Sequence, residues 1–251
     1  MSHSRKKGGV VLIHGLTGTP AVMQYIADAL SNAGYLVDAP LLKGHGSKPS
    51  ALMDVRWEDW YEDVYSAYKR LKAETDRVSA VGISLGALLS LLLAEEMKLD
   101  LMASVSIGTP LVLTPLVERL LYPIFKYTPI KYIVRYVGKN WEESVADPEG
   151  RKIYMEKSYD KIATASVLEL FKLKKIVLKR LDEIFSPILI LHGKYDKVAP
   201  LKNVAILKDV IRTRMVETVI LENSRHVAVL DHDKELLGNK IISFLNRFST
   251  E

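Results

Sequence analysis

The chain alternates between short apolar runs and longer stretches in which apolar residues recur every three or four positions. Six of the short runs, residues 9–13, 35–39, 78–83, 101–107, 188–192 and 216–221, have the length of strands. Most are continuously apolar, the pattern of strands covered on both faces. Between them the pattern predicts a helix that starts at Thr19-Pro20 and stops at Gly34, and others over 54–75, 86–97 and 234–248. Strands alternating with helices specify an α/β fold: a mostly parallel central sheet flanked by helices.

Between the fourth and fifth strands this rhythm fails. About eighty residues pass without a clear strand, too many for a structureless loop in a compact domain. Pro115, Pro123 and Pro129 interrupt short helical patterns there. A longer pattern over 162–185 puts Val167, Leu170, Phe171, Val177, Leu178 and Leu181 on one stripe, with Lys172, Lys175 and Lys179 on another. The expected organisation is a core made of 1–110 and 188–251, carrying an inserted helical cap, or lid, over 111–187. Aromatic residues Tyr122, Tyr127, Tyr132 and Tyr136 add apolar surface to this cap. Leu120, Leu121, Ile124 and Phe125 are the expected contacts for an apolar substrate chain.

Composition narrows the chemistry. With 48% hydrophobic and 26% charged residues in a chain of 251, the sequence is that of a globular protein. The absence of cysteine excludes disulfides, thiolate metal sites and a cysteine nucleophile. The net charge of +5 is concentrated: 111–187 holds 14 basic and 10 acidic residues, the remainder 21 and 20. No zinc-ligand spacing, stacking motif or basic repeat accompanies it, so no nucleic-acid partner and no metal are expected. A weak contact of the cap with an anionic membrane surface, through Lys172, Lys175 and Lys179, is the association this charge allows. The N-terminal MSHSRKKGG lacks the long apolar run of a secretory signal, and no stretch reaches 18 uninterrupted apolar residues. A cytoplasmic location is expected.

Gly82-Ile83-Ser84-Leu85-Gly86 follows a predicted strand and opens a predicted helix, the setting of a nucleophile elbow. Small flanking residues let strand and helix approach while the serine hydroxyl projects outward. A serine hydroxyl needs a base, and the base needs an acid to orient it. Asp196 and His226 follow the strands at 188–192 and 216–221, at the edge where open parallel sheets place their sites. The expected catalytic set is Ser84, His226 and Asp196. The glycine-rich loop His14-Gly15-Leu16-Thr17-Gly18 after the first strand supplies backbone donors, and the N–H groups of Leu16 and Leu85 are assigned to an oxyanion hole. That loop lacks the Lys-Ser/Thr of a Walker motif and the spacing of a dinucleotide fingerprint. His14, His45 and His192 are expected to hold loops, and Asp231-His232-Asp233 to open the last helix.

Together HGLTG, GHGSKP, GISLG, HGKYDKVAP and NSRHVAVLDHDKEL resemble bacterial carboxylesterases and monoacylglycerol lipases of the α/β-hydrolase superfamily. The resemblance runs over residues 9–248 and is weakest in 111–187. It implies an α/β-hydrolase fold, the triad and oxyanion donors above, and no cofactor. The implied substrates are small-molecule esters of short to medium acyl chains, or monoglycerides. One departure is Ala87, where many relatives carry a further glycine. Serine at 84 excludes the dehalogenase and epoxide-hydrolase chemistries, which use a carboxylate nucleophile. Thioesterase, acyltransferase and carbon–carbon hydrolase activities share the triad and stay open, as does a non-catalytic receptor on the same fold.

Overall fold

The computed structural model describes residues 6–249; Met1 to Arg5, part of the stretch behind the localisation expectation, lie outside the described residues. Among the described residues eight strands occur: β1 (Gly9–Ile13), β2 (Leu36–Asp38), β3 (Val78–Ile83), β4 (Ser104–Ile107), β5 (Tyr136–Gly138), β6 (Lys161–Ala163), β7 (Ile188–Gly193) and β8 (Val216–Leu221). Six form the central sheet in the order β2-β1-β3-β4-β7-β8, with every pairing parallel. The register sets Ile13 opposite Gly82, Ile83 opposite Ile107 and Gly193 opposite Leu221, so the carboxyl ends share one edge. This is the α/β architecture with a parallel central sheet that the sequence pattern specified.

Burial explains the unbroken apolar runs. Strands β1, β3, β4 and β7 are buried throughout, whereas the edge strand β8 is half-exposed. On one face lie α1 (Gln24–Asn32) and the C-terminal helix; on the other lie α2 (Trp57–Glu74) and α3 (Leu85–Met97). Helix α3 is buried on every side through Glu95, which is why its sequence shows no polar face. Short strands at 36–38 and 104–107 trim the expected runs. Pro20–Met23 forms a 3₁₀ turn ahead of α1, and the Thr19 hydroxyl donates to the Lys157 carbonyl (3.1 Å) instead of capping a helix.

Between β4 and β7 the chain forms a π-helical turn over Val117–Leu121, then α4 (Tyr122–Tyr127), α5 (Ile130–Ile133), α6 (Trp141–Ser144), α7 (Pro148–Lys157) and α8 (Thr164–Arg180). The remaining helices are α9 (Lys202–Val210) and α10 (Lys234–Ser249). Two features depart from the sequence reading. Strands β5 and β6 pair antiparallel in a sheet of their own, and α8 starts after β6 and ends at Arg180. Three-residue strands are too short to leave a periodic signature. Leu170, Leu173 and Val177 of α8 join the core cluster around α2 and α3.

Candidate active site

Ser84 links β3 to α3 with φ +55° and ψ −115°, a conformation rare outside glycine. Such strain costs about 1–3 kcal/mol and persists only where the surroundings impose it. Here the Ser84 N–H donates to the Ile107 carbonyl (2.9 Å), and its own carbonyl accepts from the Ala87 N–H (3.0 Å). A Cβ on Gly82 would lie 2.0 Å from the Gly86 carbonyl oxygen, and one on Gly86 2.2 Å from that of Ile13. Backbone meets backbone at both positions, so glycine is required on each side of the serine.

The structure brings the three residues named from the sequence together. The Ser84 hydroxyl lies 2.9 Å from His226 Nε2, and His226 Nδ1 lies 2.7 Å from Asp196 Oδ2. The other Asp196 oxygen accepts from the Val198 and Ala199 amides at 2.8 Å each. Burial pushes the Asp196 pKa up, but the facing His226, then His192 and the Ala199 amide, outweigh it and hold the carboxyl below its ordinary value. An ionised Asp196 takes the Nδ1 proton as its donor, which leaves Nε2 to accept from the serine hydroxyl.

Residues that the sequence did not assign to the site complete the arrangement. Gly108, at φ +57°, passes so close that a Cβ would lie 3.4 Å from His226 Nδ1 and 3.6 Å from Asp196 Oδ2. Asp231 accepts from the Arg225, Ala146 and Asp147 amides, and Asp233 from the Asn223 amide and the Ser224 hydroxyl. These acids brace the loop that carries His226. Asp233 also stands at the start of α10, as expected, while His232 is exposed.

Leu16 and Leu85 flank the serine. As the first residue of α3, Leu85 has an N–H with no partner inside the helix. Leu16, Gly15, Ser84 and His226 line one small cavity of about 20 Å³. Behind the loop, His14 Nδ1 donates to the Gly15 carbonyl (2.9 Å) and Nε2 accepts from the Leu42 amide (3.2 Å). Burial, then the neighbouring His45, lowers the His14 pKa to about 3. Burial lowers that of His45 to about 4. Both imidazoles are neutral at pH 7 and hold loops.

A larger cavity of about 510 Å³ opens onto Ser84 and His226. Its lining includes the apolar Leu113, Val117, Leu121, Phe125, Ile162 and Leu170 and the polar Thr17, Lys139, Asn140 and Glu143. Leu121 and Phe125 therefore stand where the sequence reading put them, but Leu120 and Ile124 do not line the cavity, and Leu120 is 51% exposed. The two pairs lie on adjacent helix faces, one residue and about 100° apart.

A separate cleft of about 760 Å³ is lined by Lys126, Lys131, Arg135, Lys172 and Lys175 with Tyr122, Tyr132 and Met53, and by Glu169, which pairs with Lys172 at 2.6 Å. Lys179 is exposed and not part of its lining. Among the described residues no cluster of three His, Asp or Glu could hold a metal, and no helix is long and apolar enough to cross a membrane.

A parallel sheet with a serine on a strained strand-to-helix turn, at its carboxyl edge, defines an α/β-hydrolase. The model of the family described as serine aminopeptidase, S33 (Hydrolase_4) matches residues 4–233, and the chain belongs to that family of serine hydrolases. Its similar curated proteins are carboxylic ester hydrolases by name. A thermostable monoacylglycerol lipase of Bacillus sp. (strain H-257) is 32% identical over 236 residues, 94% of this chain and 89% of that protein. A carboxylesterase of Bacillus subtilis (strain 168) is 26% identical over 246 residues, 96% of this chain and 94% of that one. Among solved structures, one reported for the metagenome-derived lipolytic enzymes LipS and LipT has a TM-score of 0.88 at 26% identity, covering 96% of this chain and 94% of its own. The fold is shared too with the Paleococcus ferrophilus monoacylglycerol lipase, at TM-score 0.82 and 19% identity over 97% of this chain and 95% of that one.

Proposed function

We propose that this protein is a carboxylesterase that cleaves carboxylic esters of short to medium acyl chains through an acyl-enzyme on Ser84. The observation that carries this reading is the Ser84–His226–Asp196 chain of hydrogen bonds, 2.9 and 2.7 Å long, opening into a cavity lined by apolar and polar side chains. In the first half-reaction His226 Nε2 takes the serine proton as Oγ attacks the ester carbonyl. The Leu16 and Leu85 amides receive the developing oxyanion, a type of contact worth about 2.7–4 kcal/mol per donor. The imidazolium, stabilised by Asp196, then protonates the departing alcohol. Water repeats the sequence on the acyl-enzyme and frees the acid. Residues 111–187 act as a cap whose Leu121 and Phe125 receive the acyl chain, and the reaction needs no cofactor.

The test is hydrolysis of p-nitrophenyl esters from acetate to palmitate, with monoolein, by wild type and Ser84→Ala. A Ser84-dependent maximum at short or medium chains is the expected result. Dominant turnover of monoolein favours a monoacylglycerol lipase instead, the activity in the name of the Bacillus relative. Turnover of thioesters, or of aminoacyl p-nitroanilides as the family description suggests, would replace the ester reading. A cytoplasmic enzyme with a weak affinity for anionic membranes completes the proposal, supported by the five cationic side chains of the separate cleft. Vesicles containing phosphatidylserine should retain the protein in flotation at low salt, and equal retention by neutral vesicles would remove this part.

A further inference from the structure

We propose that Lys139 is a positioning residue for the oxyanion loop: it reaches from 111–187 and holds Thr17 so that the neighbouring Leu16 N–H faces the reacting carbonyl. The inference rests on the reading of Leu16 as an oxyanion donor. Thr17 is buried at φ +69°, and a β-branched residue in the left-handed region keeps that conformation only when its neighbours impose it. The bonds that do so come from the inserted segment. Lys139 Nζ donates to the Thr17 hydroxyl oxygen (2.8 Å), and the Tyr159 N–H donates to the Thr17 carbonyl (2.9 Å).

Both partners are themselves anchored. Lys139 Nζ also donates to the Ser158 hydroxyl (3.1 Å) and lies 4.0 Å and 4.3 Å from the ring centres of Tyr154 and Trp141. Such aromatic faces favour the cation, while burial lowers the Lys139 pKa to about 7; charged or neutral, Nζ keeps hydrogens to donate to Thr17. The Tyr159 hydroxyl donates to the Gly44 carbonyl and accepts from the Ser47 amide, both at 2.9 Å. The small β5–β6 sheet sets the pair's spacing: Lys139 directly follows Gly138, whose register partner is Lys161, two residues beyond Tyr159. Lys139 also lines the cavity that contains Ser84. The segment that shapes the substrate pocket thus also holds the loop that stabilises charge in the transition state.

A residue acting this way affects the transition state more than the bound ester. Lys139→Met keeps an unbranched apolar stem, one atom shorter, but loses the donor; Thr17→Val loses the acceptor without changing the branched shape, and Thr17→Ser keeps it. Steady-state kinetics on p-nitrophenyl butyrate, with inhibition by a boronic acid that mimics the tetrahedral intermediate, is the experiment. Lys139→Met and Thr17→Val should each lower kcat about 10- to 100-fold with KM within about threefold, since small misplacements of a catalytic group cost on that order. Boronate affinity should fall in parallel with kcat/KM, Thr17→Ser should stay near wild type, and the double variant should be no worse than either single one. Unchanged kcat in folded Lys139→Met, a loss confined to KM, or fully additive losses would overturn the inference. Retained turnover in Ser84→Ala would instead overturn the triad reading on which it rests, so the two failures are distinguishable.

Discussion

On the sheet side of the Ser84 cavity, positions are set by backbone pressed against backbone; on the side of 111–187, they are set by side chains. Gly82, Gly86 and Gly193 each sit where a single added carbon would come within 2.2 Å of a carbonyl oxygen. Across the cavity, Leu121 and Phe125 present side chains from short helical turns, beside half- or fully exposed neighbours such as Leu120 and Tyr132. The first kind of construction tolerates no change in shape and suits reacting atoms. The second can vary in size without disturbing the fold and suits the choice of substrate. Lys139 and Tyr159 join the two.

That contrast is testable in order of effect. Asp196→Asn should leave the fold intact but lower kcat about 10⁴-fold, because the amide no longer selects the His226 tautomer that accepts from Ser84; near-normal turnover would break the contrast at its strongest point. Gly86→Ala forces a carbon against the Ile13 carbonyl and should cost roughly 3–5 kcal/mol, read as a shifted urea midpoint. Glu95→Gln should act in the opposite direction. Glu95 is fully buried in α3 with both carboxyl oxygens unpartnered among the described residues, and burial raises its pKa to about 9. The folded protein therefore holds a proton that the unfolded chain releases above its ordinary carboxyl pKa, so stability is lost as pH rises from about 4.5 towards 9. The amide should raise stability by roughly 3 kcal/mol at pH 7 and change it little at pH 4, measured by denaturation at both. Phe125→Ala should have the smallest effect: about a tenfold fall in kcat/KM for octanoate relative to acetate esters, with acetate itself nearly unchanged.

The same contrast governs what the sequence made legible. The six sheet strands and the glycines around Ser84 leave local signatures, because burial on both faces and close backbone approach act on neighbouring residues. Asp196 and His226 could be named because each follows an apolar strand at the carboxyl edge. Gly108 could not, since what it approaches is contributed by residues far along the chain. Strands β5 and β6 are three residues each and pair across more than twenty positions, leaving no periodicity to read. Leu120 and Ile124 each adjoin a residue that lines the cavity, and an apolar run that continues round a helix does not show which of its members face inward. Lys139 looked like one of many surface lysines; only the folded chain brings it to Thr17.

The central claim is that Ser84 is a nucleophile activated by His226. Treating the protein with a fluorophosphonate and locating the adduct by peptide mass spectrometry tests it most directly. The expected result is one adduct, on the peptide containing Ser84, formed rapidly in wild type and orders of magnitude more slowly in His226→Ala. A Ser84 that stays unlabelled, or that labels equally fast without His226, would contradict the account.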